Sequence, residues 1–203
     1  MNWINKIKKL GESIKKNINK KFPTKSERES SAWTSCCKGP ILKVELEQNL
    51  YVCPNCNKHH RISPTQRFDI IFGKNNFEIL KTPIPQDDPL EWTDTKSYKD
   101  RLKDARKKTK QECAVVIAKG ILNNIEVTVG ATNFDFIGGS SGAAETEAII
   151  YGVQHAIDNQ TPFVFWPCGG GQRMFESTIA LTGMTKTTLA INELKQNNLP
   201  YLV

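Results

Sequence analysis

Between residues 113 and 203 the apolar positions change period several times. "CAVVIAKGIL" and "IEVTVGATNF" are β-branched runs on either side of Asn123 and Asn124, a turn pair, and predict a hairpin. "GGSSGAAETEAIIYGVQHAID" opens with small residues, then places Ala144, Ala148, Ile149, Val153 and Ala156 on one helical face. "TPFVFWP" predicts a short strand. "GQRMFESTIALTGMTKTTLAINELKQN" carries a helical pattern despite Gly183, and "LPYLV" begins another strand. Strand, glycine turn, helix, repeated, is the grammar of β-α-β units and predicts an α/β fold. A chain closing inside a strand carries the expectation that it is cut short or finished by a second polypeptide.

Upstream the pattern differs. In "MNWINKIKKLGESIKKNINKKF", Trp3, Ile7, Leu10, Ile14 and Ile18 recur at helical spacing with lysines between them. That suits an amphipathic helix on a membrane surface, an acidic partner or nucleic acid, or else a frayed, solvated end. Four stretches result: a basic leader and linker (1–31), a cysteine module (32–62), a connector with a proline-rich loop and the charged helix "SYKDRLKDARKKTKQ" (63–112), and the alternating core (113–203).

Charge sharpens this division. The 203 residues carry a net charge of +7, and residues 1–30 alone hold nine Lys/Arg against three Glu. The basic character therefore belongs to the leader and not to the body. No apolar run approaches the roughly 18–20 residues of a membrane span. The leader lacks the continuous apolar stretch of a secretory signal, and Glu12, Glu27 and Glu29 weaken an organellar presequence.

The two glycine turns, "FDFIGGSSGAA" and "WPCGGGQRM", each follow an apolar strand and precede a helical pattern. Glycine lets a ligand oxygen approach main-chain N–H groups, and a helix start adds partial positive charge. Such a turn binds phosphate, carboxylate or a developing oxyanion, or it merely permits tight packing. Neither turn is a Walker A loop or a dinucleotide fingerprint. Neither contains an acid/base pair. An oxyanion donor is worth about 3–4 kcal/mol of transition-state stabilisation.

Four of the six cysteines, Cys36, Cys37, Cys53 and Cys56, fall within 21 residues. "CPNC" is half of a zinc ribbon. The other half should be a second C-x₂-C, but Cys36 and Cys37 are adjacent, and consecutive side chains diverge. Three outcomes stay open: zinc on all four cysteines, zinc with His59 or His60 as fourth ligand, or no metal. Cys113 and Cys168 stand alone in apolar surroundings and are expected to be buried thiols. His155 is read as a core or surface histidine.

With these motifs in view, the sequence resembles the carboxyltransferase β-subunit family of bacterial-type, multisubunit acetyl-CoA carboxylase. The likeness runs from "NWI" through "AWTSC", "VELEQNLYVCPNCNKHHRIS" and "SYKDRLKDARKKT" to "FDFIGGSSG", "GGGQRMFES" and "LPYLV". It implies a zinc-ribbon-like module followed by a partial crotonase-like β-β-α spiral. It implies carboxyl transfer from carboxybiotin, borne on biotin carboxyl carrier protein, to acetyl-CoA. The product is malonyl-CoA, the committed step of fatty acid synthesis in the cytoplasm. The implied partners are an α subunit in a heterotetramer, without which the chain is inactive, the carrier protein and biotin carboxylase. By the same resemblance, Gly170 and Gly171 stabilise the thioester oxygen, Gly138, Gly139 and Gly142 shape the CoA pocket, and Cys36, Cys37, Cys53 and Cys56 hold zinc. The base is the biotin ureido nitrogen, so no side-chain base is required.

The departures from the family are specific. Gly169 and Gln172 stand where the family usually has Ser and Ala, two residues are missing between Cys36 and Cys37, and roughly a hundred residues are absent after Val203. These departures keep alive a truncated or degenerate subunit without activity. A zinc-ribbon nucleic-acid-binding module and a crotonase-type hydratase or thioesterase using Glu145, Glu147 or Glu176 complete the alternatives.

Overall fold

The structure, a computed structural model, describes residues 32–36 and 39–203. The basic leader and Cys37 lie outside the described residues. The chain divides into two units, Met1–Arg61 and Ile62–Val203.

In the first unit, strands β1 (Trp33–Cys36) and β2 (Gly39–Leu42) pair antiparallel, with Cys36 opposite Gly39. A short helix, α1 (Lys43–Gln48), follows. The chain then reverses through Leu50 and Tyr51, both at positive φ, into a second tight turn. There Cys53 N–H donates to Lys58 O (2.9 Å) and Asn57 N–H donates to Cys53 O (2.8 Å). The core is small: Ile41, Leu46 and Cys53, with Cys36, Tyr51 and Cys56 against them.

The second unit is built on one sheet in the order β3-β4-β5-β6-β7. Strands β3 (Phe77–Leu80), β4 (Val115–Leu122) and β5 (Ile125–Thr132) are antiparallel. Strands β6 (Phe163–Trp166) and β7 (Tyr201–Leu202) continue parallel to β5. The β4–β5 turn is Asn123-Asn124, both left-handed (φ 49° and 66°), as a two-residue hairpin of matching twist requires.

Strand alternation sends side chains to opposite faces. Val115 and Ile117 of β4 join Phe163 and Phe165 of β6 on one face, beneath α4 (Ala143–Asp158) and α5 (Ser177–Gln196). Val116 and Ala118 join Val127 and Val129 on the other, covered by Phe68 and Phe72 of α2 (Pro64–Phe72). The sequence pattern treated 63–112 as connector, yet it supplies α2 and edge strand β3. Ser63 caps α2 with Gln66 in a capping box followed by proline, the signal by which that helix is recognisable. Helix α3 (Tyr98–Thr109), capped by Ser97, is the expected charged helix.

One expectation is corrected. The helix expected to start at Gly171 begins at Ser177, after an extended Gln172–Arg173 step and a 3₁₀ turn at Met174–Glu176. The main chain of residues 171–173 pairs with the other glycine turn, which holds it out of helical conformation. Gly183 sits within α5 because a Cβ there would collide with Thr146 of α4, so the two helices approach closely at that point.

Candidate functional site

Both glycine turns leave the carboxyl ends of adjacent parallel strands, β5 and β6, where open α/β sheets gather their ligands. In the first turn Ile137, Gly138 and Gly139 have φ of 45°, 65° and 65°. A β-branched residue at positive φ is an outlier of the kind that collects at functional sites. In the second turn Gly169, Gly170 and Gly171 are exposed and Gly171 has φ 90°.

The turns interlock through three main-chain bonds: Gly170 N–H to Gly138 O (3.1 Å), Ser141 N–H to Gly171 O (2.9 Å) and Arg173 N–H to Ser141 O (2.8 Å). A Cβ at Gly139 would lie against Cys168 O, and one at Gly169 against Gly139 O, both inside the 3.0 Å that real Cβ atoms do not cross. Glycine is required at both by backbone proximity.

This geometry separates the residues singled out from the sequence. Gly139 and Gly142 are buried. Gly142 is the N-cap of α4, its N–H donates to Glu145 Oε2 (2.9 Å), and Ala143 N–H donates to Glu176 Oε2 (2.6 Å). Two carboxylates thus occupy amides at the start of α4. Gly170 N–H is engaged by Gly138, whereas Gly171 N–H has no hydrogen-bond partner among the described residues. Gly139, Ser141, Cys168, Gly169 and Gly171 line a cavity of about 220 Å³ whose wall includes Phe165. Cys168 is exposed on this cavity, which corrects the expectation of a buried thiol. The two-sided backbone contact at Gly139 and Gly169 holds its segment at the surface. Cys113 is buried as expected, and burial, with the Glu145 charge adding to it, pushes its thiol up to about 12.

Behind the turns lies a polar network that the sequence did not reveal. The Arg173 side chain is 1% exposed. Its Nη2 donates to Glu145 Oε1 (2.7 Å) and Ser140 O (2.5 Å), its Nη1 to Tyr98 Oη (3.0 Å) and its Nε to Ser140 Oγ (3.2 Å). Tyr98 Oη donates to Glu176 Oε1 (2.5 Å), and Ala114 N–H donates to Glu145 Oε1 (2.8 Å). Burial opposes the Arg173 charge, but Glu145 and Tyr98 hold its pKa above the ordinary arginine value. Burial raises the Tyr98 phenol, so it stays a hydrogen-bond donor. Glu145 and Glu176 serve the scaffold, and Glu147 pairs with Lys186 (3.0 Å). The carboxylates that a hydratase reading needs are thereby committed elsewhere.

In the first unit, the Sγ atoms of Cys36, Cys53 and Cys56 lie within 4.8 Å of one another. Neighbouring thiolates around tetrahedral zinc, each about 2.3 Å from the ion, are about 3.8 Å apart, so the three sulphurs are close enough together for one ion to reach all of them. Among the described residues the cluster comprises these three cysteines; His59 and His60 are not in it. His59 instead bridges to Val52, and His60 Nε2 is buried without a hydrogen bond among the described residues.

Two interlocked glycine turns thus close the ends of neighbouring parallel strands, with a cavity between them and with Glu145 and Glu176 engaged by the network behind. The chain belongs to the carboxyl transferase domain family, whose model matches residues 90–203. It is 64% identical over 203 residues to the acetyl-coenzyme A carboxylase carboxyl transferase subunit beta of Pelagibacter ubique (strain HTCC1062), covering 100% of this chain and 65% of that protein. The protein of the same name from Methylocella silvestris is 35% identical over 205 residues, covering 100% of this chain and 68% of the relative. The chain thus spans about two thirds of the length of these relatives. Among solved structures, the transcarboxylase 12S hexamer core with methylmalonyl-coenzyme A and methylmalonic acid bound superposes with a TM-score of 0.51. The identity is 18%, over 74% of this chain and 28% of that one, a likeness of fold alone.

Proposed function

We propose that the chain is the β subunit of an acetyl-CoA carboxylase carboxyltransferase, moving a carboxyl group from carboxybiotin on its carrier protein to acetyl-CoA to give malonyl-CoA. The supporting observation is the exposed Gly171 N–H, without a partner among the described residues, beside the cavity between the turns. Carboxybiotin supplies the carboxyl group and, once carbon dioxide has left, the ureido nitrogen that accepts a proton from the acetyl methyl. As that proton leaves, negative charge gathers on the thioester oxygen. Gly171 N–H meets that charge from a fixed position, so the donor does not reorganise as the reaction proceeds. Gly170, though adjacent, contributes by holding the turn to Gly138. Gly138, Gly139 and Gly142 shape the pocket, and the α subunit completes the biotin side.

In the cysteine module, the zinc-ribbon reading assigns zinc to Cys36, Cys53 and Cys56, with Cys37, outside the described residues, as the fourth ligand. A bound zinc would tie the two turns of that module together.

The test is to combine the chain with an α subunit and carboxylated carrier protein and measure malonyl-CoA from acetyl-CoA. Turnover is expected, with a loss of about 100-fold or more in Gly171→Ala, whose Cβ meets no atom within 4 Å but strains a φ of 90° and re-aims the amide. A complex that assembles and binds acetyl-CoA without turnover, or a Gly171→Ala variant of unchanged kcat, overturns the assignment.

A further inference from the structure

Helix α3 lies in the stretch that reads from the sequence as connector, yet it packs behind both glycine turns. Tyr98, Leu102 and Ala105 form one buried cluster with Ala114 and Phe136, and Ile137 and Phe175 pack against it. Phe136 and Ile137 lead into the first turn, and Phe175 follows the second. The Phe175 ring lies 5.2 Å from the ring of Tyr98, and the Arg101 guanidinium stands 5.2 Å from the centroid of the Phe175 ring. The far end of α3 is anchored by Arg106, whose two Nη atoms grip both Asp87 oxygens (2.5 and 2.8 Å).

The polar connections run in the same direction. Tyr98 Oη bonds Glu176, 78 residues away, and accepts from Arg173. Glu176 holds Ala143 N–H immediately after the first turn, and Arg173 holds Ser140 within that turn while belonging to the second. One phenol hydroxyl therefore touches the two side chains that each join one turn to the other. Its removal takes a hydrogen bond from both Glu176 Oε1 and Arg173 Nη1 and leaves them as a bare ion pair 3.6 Å apart, too long for a hydrogen bond, in a site where their side chains are 7% and 1% exposed; closing that gap requires the groups that join the turns to move.

We infer that Tyr98 is a positioning residue for the glycine-turn site, fixing through Glu176 and Arg173 the spacing that aims the Gly171 amide. The inference rests on the carboxyltransferase reading for its kinetic consequence and stands on the geometry alone for its structural one. Sub-ångström displacement of an oxyanion donor lowers turnover more than it weakens binding of the resting substrate, so the effect belongs in kcat.

The experiment compares Tyr98→Phe with Leu102→Val, which trims the same apolar cluster without touching a polar group. Both are made in the full chain combined with the α subunit and carrier protein. Tyr98→Phe is expected to lower kcat about 10-fold with KM for acetyl-CoA within about two-fold. Amide hydrogen exchange should quicken about 10-fold at the bonded amides of the turns (Gly139, Ser141, Gly142, Gly170 and Arg173), and elsewhere stay as in the parent. Leu102→Val is expected to lower the melting temperature while keeping kcat and the exchange of both turns. If Tyr98→Phe lowers only the melting temperature, as Leu102→Val does, Tyr98 is structural and the inference fails. If the parent complex makes no malonyl-CoA, the carboxyltransferase reading falls, and the exchange comparison alone decides the role of Tyr98.

Discussion

In the cysteine module two turns meet through three sulphur atoms; in the larger unit two turns meet through three main-chain hydrogen bonds. The module's core is a handful of side chains, and two further apolar residues, Val44 and Leu50, are exposed rather than packed into it. A core of that size, among the described residues, is small against the conformational entropy of its chain, which is why the proposed zinc is expected to matter most here. The glycine-turn unit has apolar clusters on both faces of its sheet and a buried ion network behind the turns. Its turns are held before any ligand arrives. On the proposed reading, a ligand would complete the first region, whereas the second is held by its own chain.

The largest effect should come from stripping metal. With zinc bound to purified full-length chain, a strong chelator is expected to abolish amide protection over residues 39–61 while leaving the exchange of residues 113–166 unchanged. Apparent zinc contributions to small thiolate modules reach about 10–16 kcal/mol, far beyond what this core supplies. Full protection of the module in a metal-free chain would break the contrast between the two regions.

A smaller effect separates glycines that look alike in the sequence. Gly139→Ala forces a methyl group against Cys168 O at a left-handed φ of 65°, and both offending groups are main chain. It is expected to cost about 3 kcal/mol or more in urea unfolding, in the range of backbone strain plus overpacking. Gly170→Ala meets only Gly138 O, at 3.8 Å, and should cost less than about 1 kcal/mol. Equal costs at the two positions would mean that the turns are not interlocked as described.

These glycines also show what a sequence discloses and what it withholds. The hairpin at Asn123-Asn124 and both glycine turns were legible because each is a local arrangement with its own residue signature. Glu145 was legible as a helix-start acid, and it does cap α4. Strand β3 was not, since its four residues alternate only weakly between core and solvent. The start of α5 was misplaced because the pairing of Gln172 with Ser141, in the other turn, overrides the helical pattern of 171–176. The Tyr98–Glu176 contact has no local signature at all: its partners are brought together by the whole sheet. Of the candidate site, therefore, the turns could be read in advance, but the difference between Gly170 and Gly171, and the network that sets it, could not.

The smallest effect lies beside the start of β6, away from the turn that follows that strand. Thr128 Oγ1 lies 2.8 Å from Thr161 Oγ1 and 3.1 Å from His155 Nδ1, beside the start of β6. Burial lowers the His155 pKa, with Lys119 adding to it, while Glu126, Asp158 and Glu78 oppose the shift. A folded pKa below the unfolded value near 6.5 means that, as pH falls, the unfolded chain takes up the proton first. Stability from this site is therefore whole above the unfolded pKa and declines as pH drops through it toward the folded value. Because the ring is only partly buried, solvent screens the charges around it and the loss should stay well under about 1 kcal/mol. Urea unfolding at pH 7.5 and 5.5, in the parent and in His155→Gln, isolates the term, since carboxylate contributions common to both chains cancel. The parent should lose more stability on acidification than the variant; equal losses would show that His155 titrates alike in both states, and that the imidazole is not held neutral by its place against the sheet.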